Sequence, residues 1–227
     1  MNASILRAAG AALLAAVAIW AGVKFYSARG GGEASHGGIS VPAGEASAPN
    51  SSDLEEGIPP PKIPDRLPQF SLADRAGKTT SITSFAGKSL IINFWATWCA
   101  PCRSEIPLLQ RLHEEWAGNG MSVVGIAVDH RDKVLEFAER FKIGYPLLIG
   151  EQDALDAAAA LGVGTPVFPF TVFTDSHGEV VALFIGELHK PQAELILAEV
   201  QNLNKGLVQL AAARRTIAAG LRALKPR

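Results

Sequence analysis

Between residues 69 and 204 apolar and polar positions follow two rhythms. Phe70 and Leu72 alternate with polar neighbours, Ala76-Gly77-Lys78 reads as a turn, and Thr79-Thr80-Ser81-Ile82 returns, which predicts a short hairpin over 70–82. A turn at 84–88 leads into Leu90-Ile91-Ile92-Asn93-Phe94-Trp95, an apolar run that predicts a buried strand. Ile106, Leu108, Leu109, Leu112 and Trp116 then recur close to helical spacing. They predict a helix over 100–118 that Gly118-Asn119-Gly120 stops. Pro107 lies inside it, removes one N–H, frees the Arg103 carbonyl and predicts a kink just past the start.

Residues 121–128 are a continuous apolar run, as in a strand buried on both faces of a parallel sheet. An amphipathic helix is expected over 132–141, with Val134, Leu135, Phe137, Ala138 and Phe141 inward. A short strand at 145–149 and a short helix at 153–161 follow. Strands at 170–174 and 179–185 are joined by the turn Asp175-Ser176-His177-Gly178, and 191–204 forms a closing helix. Buried strands alternating with helices predict an α/β fold: a central mixed β-sheet with helices on both faces and an extra N-terminal β-hairpin. No internal repeat is visible.

Outside this domain, taken as 65–204, the pattern changes. Residues 5–26 are nearly all apolar, with Arg7 and Lys24 the only charges. At roughly 20 residues the stretch is long enough to span a bilayer. Within residues 1–29 it reads as a membrane anchor in preference to a cleaved export signal, because Ala28-Arg29-Gly30 makes a weak cleavage site. A buried Ala-rich helix of the folded domain is the third reading. Basic residues on both sides leave its orientation open. Residues 30–64, rich in Gly, Ser, Pro and Ala, hold too little apolar surface to offset ordering and read as a flexible linker, stiffened at Pro59-Pro60-Pro61. The tail, 205–227, has six basic residues and no acid. Its apolar residues lie roughly on one helical face that Arg214 and Lys225 interrupt. An ordinary extension or disordered tail is expected there ahead of a membrane-surface helix.

A net charge of −1 over 227 residues supplies no field to recruit nucleic acid. Cys99 and Cys102 are the only cysteines, and a three-residue step closes too small a loop to stabilise a domain of this size. Their value lies in reactivity. A thiolate is the nucleophile, and at the first turn of a helix unpaired N–H groups and the dipole favour that form at Cys99. Pro101 suits helix initiation. Cys102, one turn in and more buried, can close a disulfide, so Cys99 attacks a partner disulfide and Cys102 resolves the mixed disulfide. Haem attachment would need His where Arg103 stands. Zinc would need two more ligands, and the nearest downstream His113 comes without a second cysteine pair. An inert structural disulfide is the remaining competitor. No cofactor is implied beyond the Cys99–Cys102 pair.

Trp95-Ala96-Thr97-Trp98-Cys99-Ala100-Pro101-Cys102 resembles the signature of the thioredoxin superfamily. More narrowly the domain is similar to the TlpA/ResA/CcmG group of membrane-tethered extracytoplasmic thiol–disulfide oxidoreductases. Asn93 stands where cytoplasmic thioredoxins carry a buried Asp, Glu105 matches the group's Glu three residues after the second cysteine, and the opening hairpin is shared. The resemblance implies a protein disulfide reductase at the bacterial inner membrane with its catalytic domain in the periplasm. Its substrates would be disulfides of exported apoproteins, of cytochrome c or copper-site maturation type, and a membrane thiol-transfer protein would donate electrons. Exchange in the oxidase or isomerase direction is the alternative, ahead of a non-catalytic binding module. A peroxiredoxin-like peroxidase would need Thr where Ala96 stands.

Cys102 and Glu105 share a helix face at i and i+3. The resemblance favours Glu105 as acceptor of the Cys102 proton, whereas spacing alone fits equally a carboxylate that complements the helix dipole or pairs with an arginine. The superfamily also places a cis-proline opposite the cysteines. Pro166 and Pro169 are the candidates, and counting back from the hairpin turn favours Pro169. Phe168 and Trp98 would then face the client, while Phe170 replaces the group's usual Thr after the proline. Trp95 is expected in the core. His113, His130, His177 and His189 are expected on the surface, with no spacing that suggests a metal.

Overall fold

A computed structural model describes residues 63–224, apart from 117, 119 and 166. The segments 1–29 and 30–62 and the alternative proline Pro166 lie outside the described residues. Among those described, no helix is long and apolar enough to cross a membrane.

Seven strands form one sheet in the order β2-β1-β5-β4-β3-β6-β7. They are β1 (Ser71–Asp74), β2 (Thr79–Ser81), β3 (Ser89–Trp95), β4 (Met121–Val128), β5 (Leu147–Gly150), β6 (Phe170–Thr174) and β7 (Val180–Ile185). The apolar runs became the centre, since β3 is buried at all seven positions and pairs in parallel with β4, which pairs in parallel with β5. On the other side β3 meets β6 antiparallel, with Asn93 opposite Thr171 and Phe94 opposite Phe170. The hairpin β1–β2 adds to β5 antiparallel, so the sheet is mixed. A buried Asp175 shapes the β6–β7 turn by accepting from the amides of His177 and Glu179, and Gly178 supplies the positive φ of +79°.

Both faces are covered. The helices are α1 (Ala100–Trp116), α2 (Arg131–Arg140), α3 (Gln152–Ala160), α4 (Lys190–Asn204) and α5 (Leu210–Ala223). Ile106, Leu109 and Leu112 of α1 join Val134 of α2, Ile196 of α4 and Ile217 of α5 in the layer that contains the cysteines. Ala154, Ala157 and Ala158 of α3 pack in the opposite layer with Leu72, Ile82 and Phe170. The helix α1 runs on through Pro107, which is exposed.

The tail departs from expectation. Instead of ending at 204, the folded unit continues into α5, which packs on α4 and β7 with Ala213 and Ile217 buried. Arg214, which interrupts the apolar face in sequence, explains why the helix docks there. Its guanidinium donates to the Val180 carbonyl at 2.6 and 3.1 Å, to Asp65 Oδ1 at 2.9 Å and to the Pro64 carbonyl at 3.3 Å. A basic residue thus satisfies backbone oxygen on the edge strand while its apolar neighbours are buried. Ile217→Ala is expected to cost about 2–4 kcal/mol, read as a lower denaturant midpoint of the whole domain. A disordered tail would leave the midpoint unchanged.

Candidate active site

At the end of β3 the chain turns through Ala96 and Thr97 into α1, so that Cys99 is the residue immediately before the helix. The Thr97 hydroxyl donates to the Asp129 carboxylate at the end of β4, fixing this turn against the neighbouring strand. Cys99 Sγ accepts from the Cys102 backbone N–H at 3.2 Å, the position a capping oxygen takes at the third residue of a helix. Sulfur at that point faces the unpaired donors of the first turn, which favour its thiolate once the bond to Cys102 is broken. The two cysteines form a disulfide, with Cys102 fully buried and Cys99 5% exposed.

Glu105 lies one turn beyond Cys102 and is 1% exposed. Its partners are neutral amides. Asn93 Nδ2 donates to Glu105 Oε1 at 2.7 Å and also to Thr171 Oγ1 at 3.0 Å, while the Leu188 N–H donates to Oε2 at 2.9 Å. The arginine pairing that spacing allowed is therefore replaced by hydrogen bonds from β3 and from the turn after β7. Burial pushes the Glu105 carboxyl up from its ordinary 4.5, the amides of Leu188 and Asn93 pull it down, and the nearby Glu187 charge raises it. The result is about 7. A carboxyl poised there exchanges its proton at neutral pH, which suits transfer to and from a neighbouring thiol.

The Phe168–Pro169 peptide bond is cis. The β3–β6 register ends at Phe94 opposite Phe170, so Pro169 stands one step further, beside Trp95 and the turn to the cysteines. The Pro169 carbonyl accepts from Gly186 N–H at 2.8 Å and is engaged within the fold. Phe168 packs against both core layers and sets its ring 6.0 Å from that of Trp98 in an edge-to-face arrangement. Trp98 is 67% exposed and Val167 is 51% exposed. Apolar surface thus adjoins the disulfide.

The fold brings together all six residues singled out from the sequence: Cys99, Cys102, Glu105, Trp98, Phe168 and Pro169. Trp95 lies in the core and His130, His177 and His189 are exposed, but His113 is half-buried against the Tyr145 ring, at 6.2 Å between centroids. Sequence reasoning missed the Leu188 amide and the influence of Glu187. No sequence signal points to a backbone N–H 83 residues away. The Asn93 side chain had a signal, a lone polar residue in an apolar strand. Among the described residues no group of three or more His, Cys, Asp and Glu side chains converges as a metal site requires.

A model of the AhpC/TSA family matches residues 63–184. The chain belongs to the AhpC/TSA family. Within it, the chain is 32% identical over 135 residues to the thiol–disulfide oxidoreductase ResA of Geobacillus thermodenitrificans, covering 59% of this chain and 75% of that protein. It is also 30% identical over 133 residues to the thioredoxin-like protein YneN of Bacillus subtilis, covering 57% and 75%. Among solved structures, a DsbF homologue from Corynebacterium diphtheriae superposes with a TM-score of 0.50 at 28% identity, over 60% of this chain and 85% of that one. A Chlorobium tepidum protein described as a thiol:disulfide interchange protein DsbE superposes with a TM-score of 0.54 at 19% identity, over 63% and 97%, which shows the shared fold. This member of the AhpC/TSA family is a thiol–disulfide oxidoreductase with a thioredoxin-like fold.

Proposed function

We propose that this enzyme works as a tethered reductase of disulfides in exported apoproteins, of cytochrome c or copper-site maturation type. The observation that carries the reading is a buried carboxyl held near neutrality three residues after the buried cysteine. In the reduced enzyme the Cys99 thiolate attacks one client sulfur, forming a mixed disulfide and releasing the other client sulfur as a thiolate that takes up a proton. Glu105 accepts the Cys102 proton, and the resulting thiolate attacks Cys99 Sγ. That step closes Cys99–Cys102, frees the second client thiol, and moves two electrons from enzyme to client. Trp98, Phe168 and Pro169 receive the client segment. A membrane thiol-transfer protein restores the dithiol, and no other cofactor takes part. Residues 5–26 anchor the chain in a bacterial inner membrane with the catalytic domain in the periplasm, a placement supported by their apolar run and by similarity to the tethered group.

A Cys102→Ala variant lacks the resolving thiol. It is expected to accumulate proteins bound to Cys99 through disulfides that dithiothreitol releases. Recovery of peroxide-derived adducts alone would overturn the reading. A redox titration tests direction: a midpoint near about −270 mV fits a reductant, whereas one near about −120 mV would assign an oxidant.

A further inference from the structure

Between α1 and the sheet, the Trp95 indole N–H and the Tyr145 hydroxyl are buried without a hydrogen-bond partner in the protein. Trp95 is 0% and Tyr145 1% exposed, so each group is withheld from bulk water. Both lie at Gly125. A methyl group on Gly125 would meet Tyr145 Cε2 at 3.0 Å and Trp95 Nε1 at 3.1 Å. The Trp95 N–H and the edge of the Tyr145 ring are therefore near neighbours.

Their place in the sheet links them to Glu105. Gly125 is the register partner of Asn93, about 4.8 Å away across the parallel pair. Val123 and Ala127, two residues to either side, face the same core layer as Ile91 and Trp95, so Gly125 opens on the face where Asn93 holds Glu105. The Leu147 side chain and the edge of the Tyr145 ring fill the space a side chain at 125 would take. The Tyr145 hydroxyl, two bonds from Cε2, is buried in the same layer, near enough to Glu105 to feel that carboxylate's charge.

We propose that Tyr145 is a positioning residue for Glu105, acting through an internal water that accepts from the Tyr145 O–H and the Trp95 N–H and donates to the Glu105 carboxylate. Such a water has three polar partners, enough to hold it in an interior. The inference rests on the reading of Glu105 as the proton acceptor. Burial and then the Glu105 charge raise the Tyr145 hydroxyl well above its ordinary value, so it stays a donor over the working range. The groups that face this pair are Asn93 from β3, Glu187 and the Leu188 amide from the turn after β7, His113 from α1, and Arg75, whose guanidinium donates to the Tyr145 carbonyl at 3.1 Å.

A donor aimed at a carboxylate favours its charged form, so losing it raises the carboxyl further. Titration of the Glu105 carboxyl by carbon-13 NMR, alongside the pH profile of exchange with a disulfide peptide, tests this. In Tyr145→Phe both midpoints are expected to move up by about one pH unit, a roughly tenfold slower reaction below the midpoint, with KM for the peptide unchanged. Trp95→Phe is expected to shift them the same way, and it carries the test if Tyr145→Phe does not fold. Unmoved midpoints in a folded variant, whatever its thermal stability, would overturn the proposal, since a packing role alone lowers stability without moving a titration. Glu105→Gln separates the two readings. A pH profile that survives it removes the proton-acceptor role itself, while a profile lost in Glu105→Gln and unmoved in Tyr145→Phe removes only the part given to Tyr145.

Discussion

Glu105→Gln is expected to flatten the pH dependence of stability between pH 4.5 and 7, and to slow exchange by about 10²- to 10⁴-fold. Below 4.5 the folded and unfolded chains both hold the Glu105 proton. Between 4.5 and about 7 the unfolded carboxyl ionises while the folded one stays protonated, so stability falls as pH rises. Above about 7 both forms are ionised and the full cost remains, roughly 3 kcal/mol from the displacement between 4.5 and about 7. Gln carries no charge and escapes this cost. It has one acceptor oxygen for two donors, however, so either Asn93 or Leu188 loses its partner at about 1–3 kcal/mol regardless of pH. The variant is therefore expected to be less stable than the native chain in acid and comparable in mild base. Denaturant midpoints at pH 5 and pH 8 check this: a variant that keeps the native slope would assign the titration to another group.

How far the molecule was legible before its structure depends on what kind of signal each part carries. Strands β3 and β4 were plain because burial on both faces makes most of their positions apolar, so each reads as a near-continuous run. Cys99 and Cys102 were equally plain, since strand, cysteine pair and helix occur in one contiguous stretch. The environment of Glu105 was only half legible. Asn93 is conspicuous in its strand, but what it donates to depends on how α1 packs over β3, and the Leu188 amide depends on where β7 ends. Of the two expectations for the tail, an ordinary extension or a disordered segment, the structure shows the extension, and the pattern left them unresolved for a related reason. Leu210–Ala223 is Ala-rich and basic, so its apolar face is narrow, and the Val180 carbonyl that Arg214 meets belongs to a strand more than 30 residues earlier. Long-range satisfaction of backbone groups leaves little trace in local pattern. Tyr145 shows the same limit: in sequence it is one aromatic in a short strand, and only the pairing of β5 with β4 brings its ring to Gly125, the register partner of Asn93.

Asn93→Asp is expected to hold a proton in the site well above neutral pH. The substitution keeps the shape of the side chain and exchanges the amide that donates to Glu105 at 2.7 Å for a second carboxylate oxygen. Two buried carboxyl oxygens at that distance cannot both be charged, so one proton is shared and the pair titrates in two separated steps. The Thr171 hydroxyl, an acceptor from Asn93 at 3.0 Å, can turn to donate to the introduced carboxylate, which lets that group ionise first and leaves the proton on Glu105. In its proposed role Glu105 then accepts the Cys102 proton only above its second step. The exchange rate at pH 7 is expected to fall more than about tenfold and the profile midpoint to rise by more than about one unit, with activity recovering in base. Exchange measured from pH 5 to pH 10 reads this directly, and a midpoint left near 7 would show that Asn93 does not govern the charge on Glu105. The resemblance puts the buried Asp of cytoplasmic thioredoxins at this strand position, where this chain has Asn93. Here the carboxyl is on the helix, and the strand supplies its donor. A second carboxyl in contact with the first pushes the titration away from the pH where thiol and thiolate interconvert.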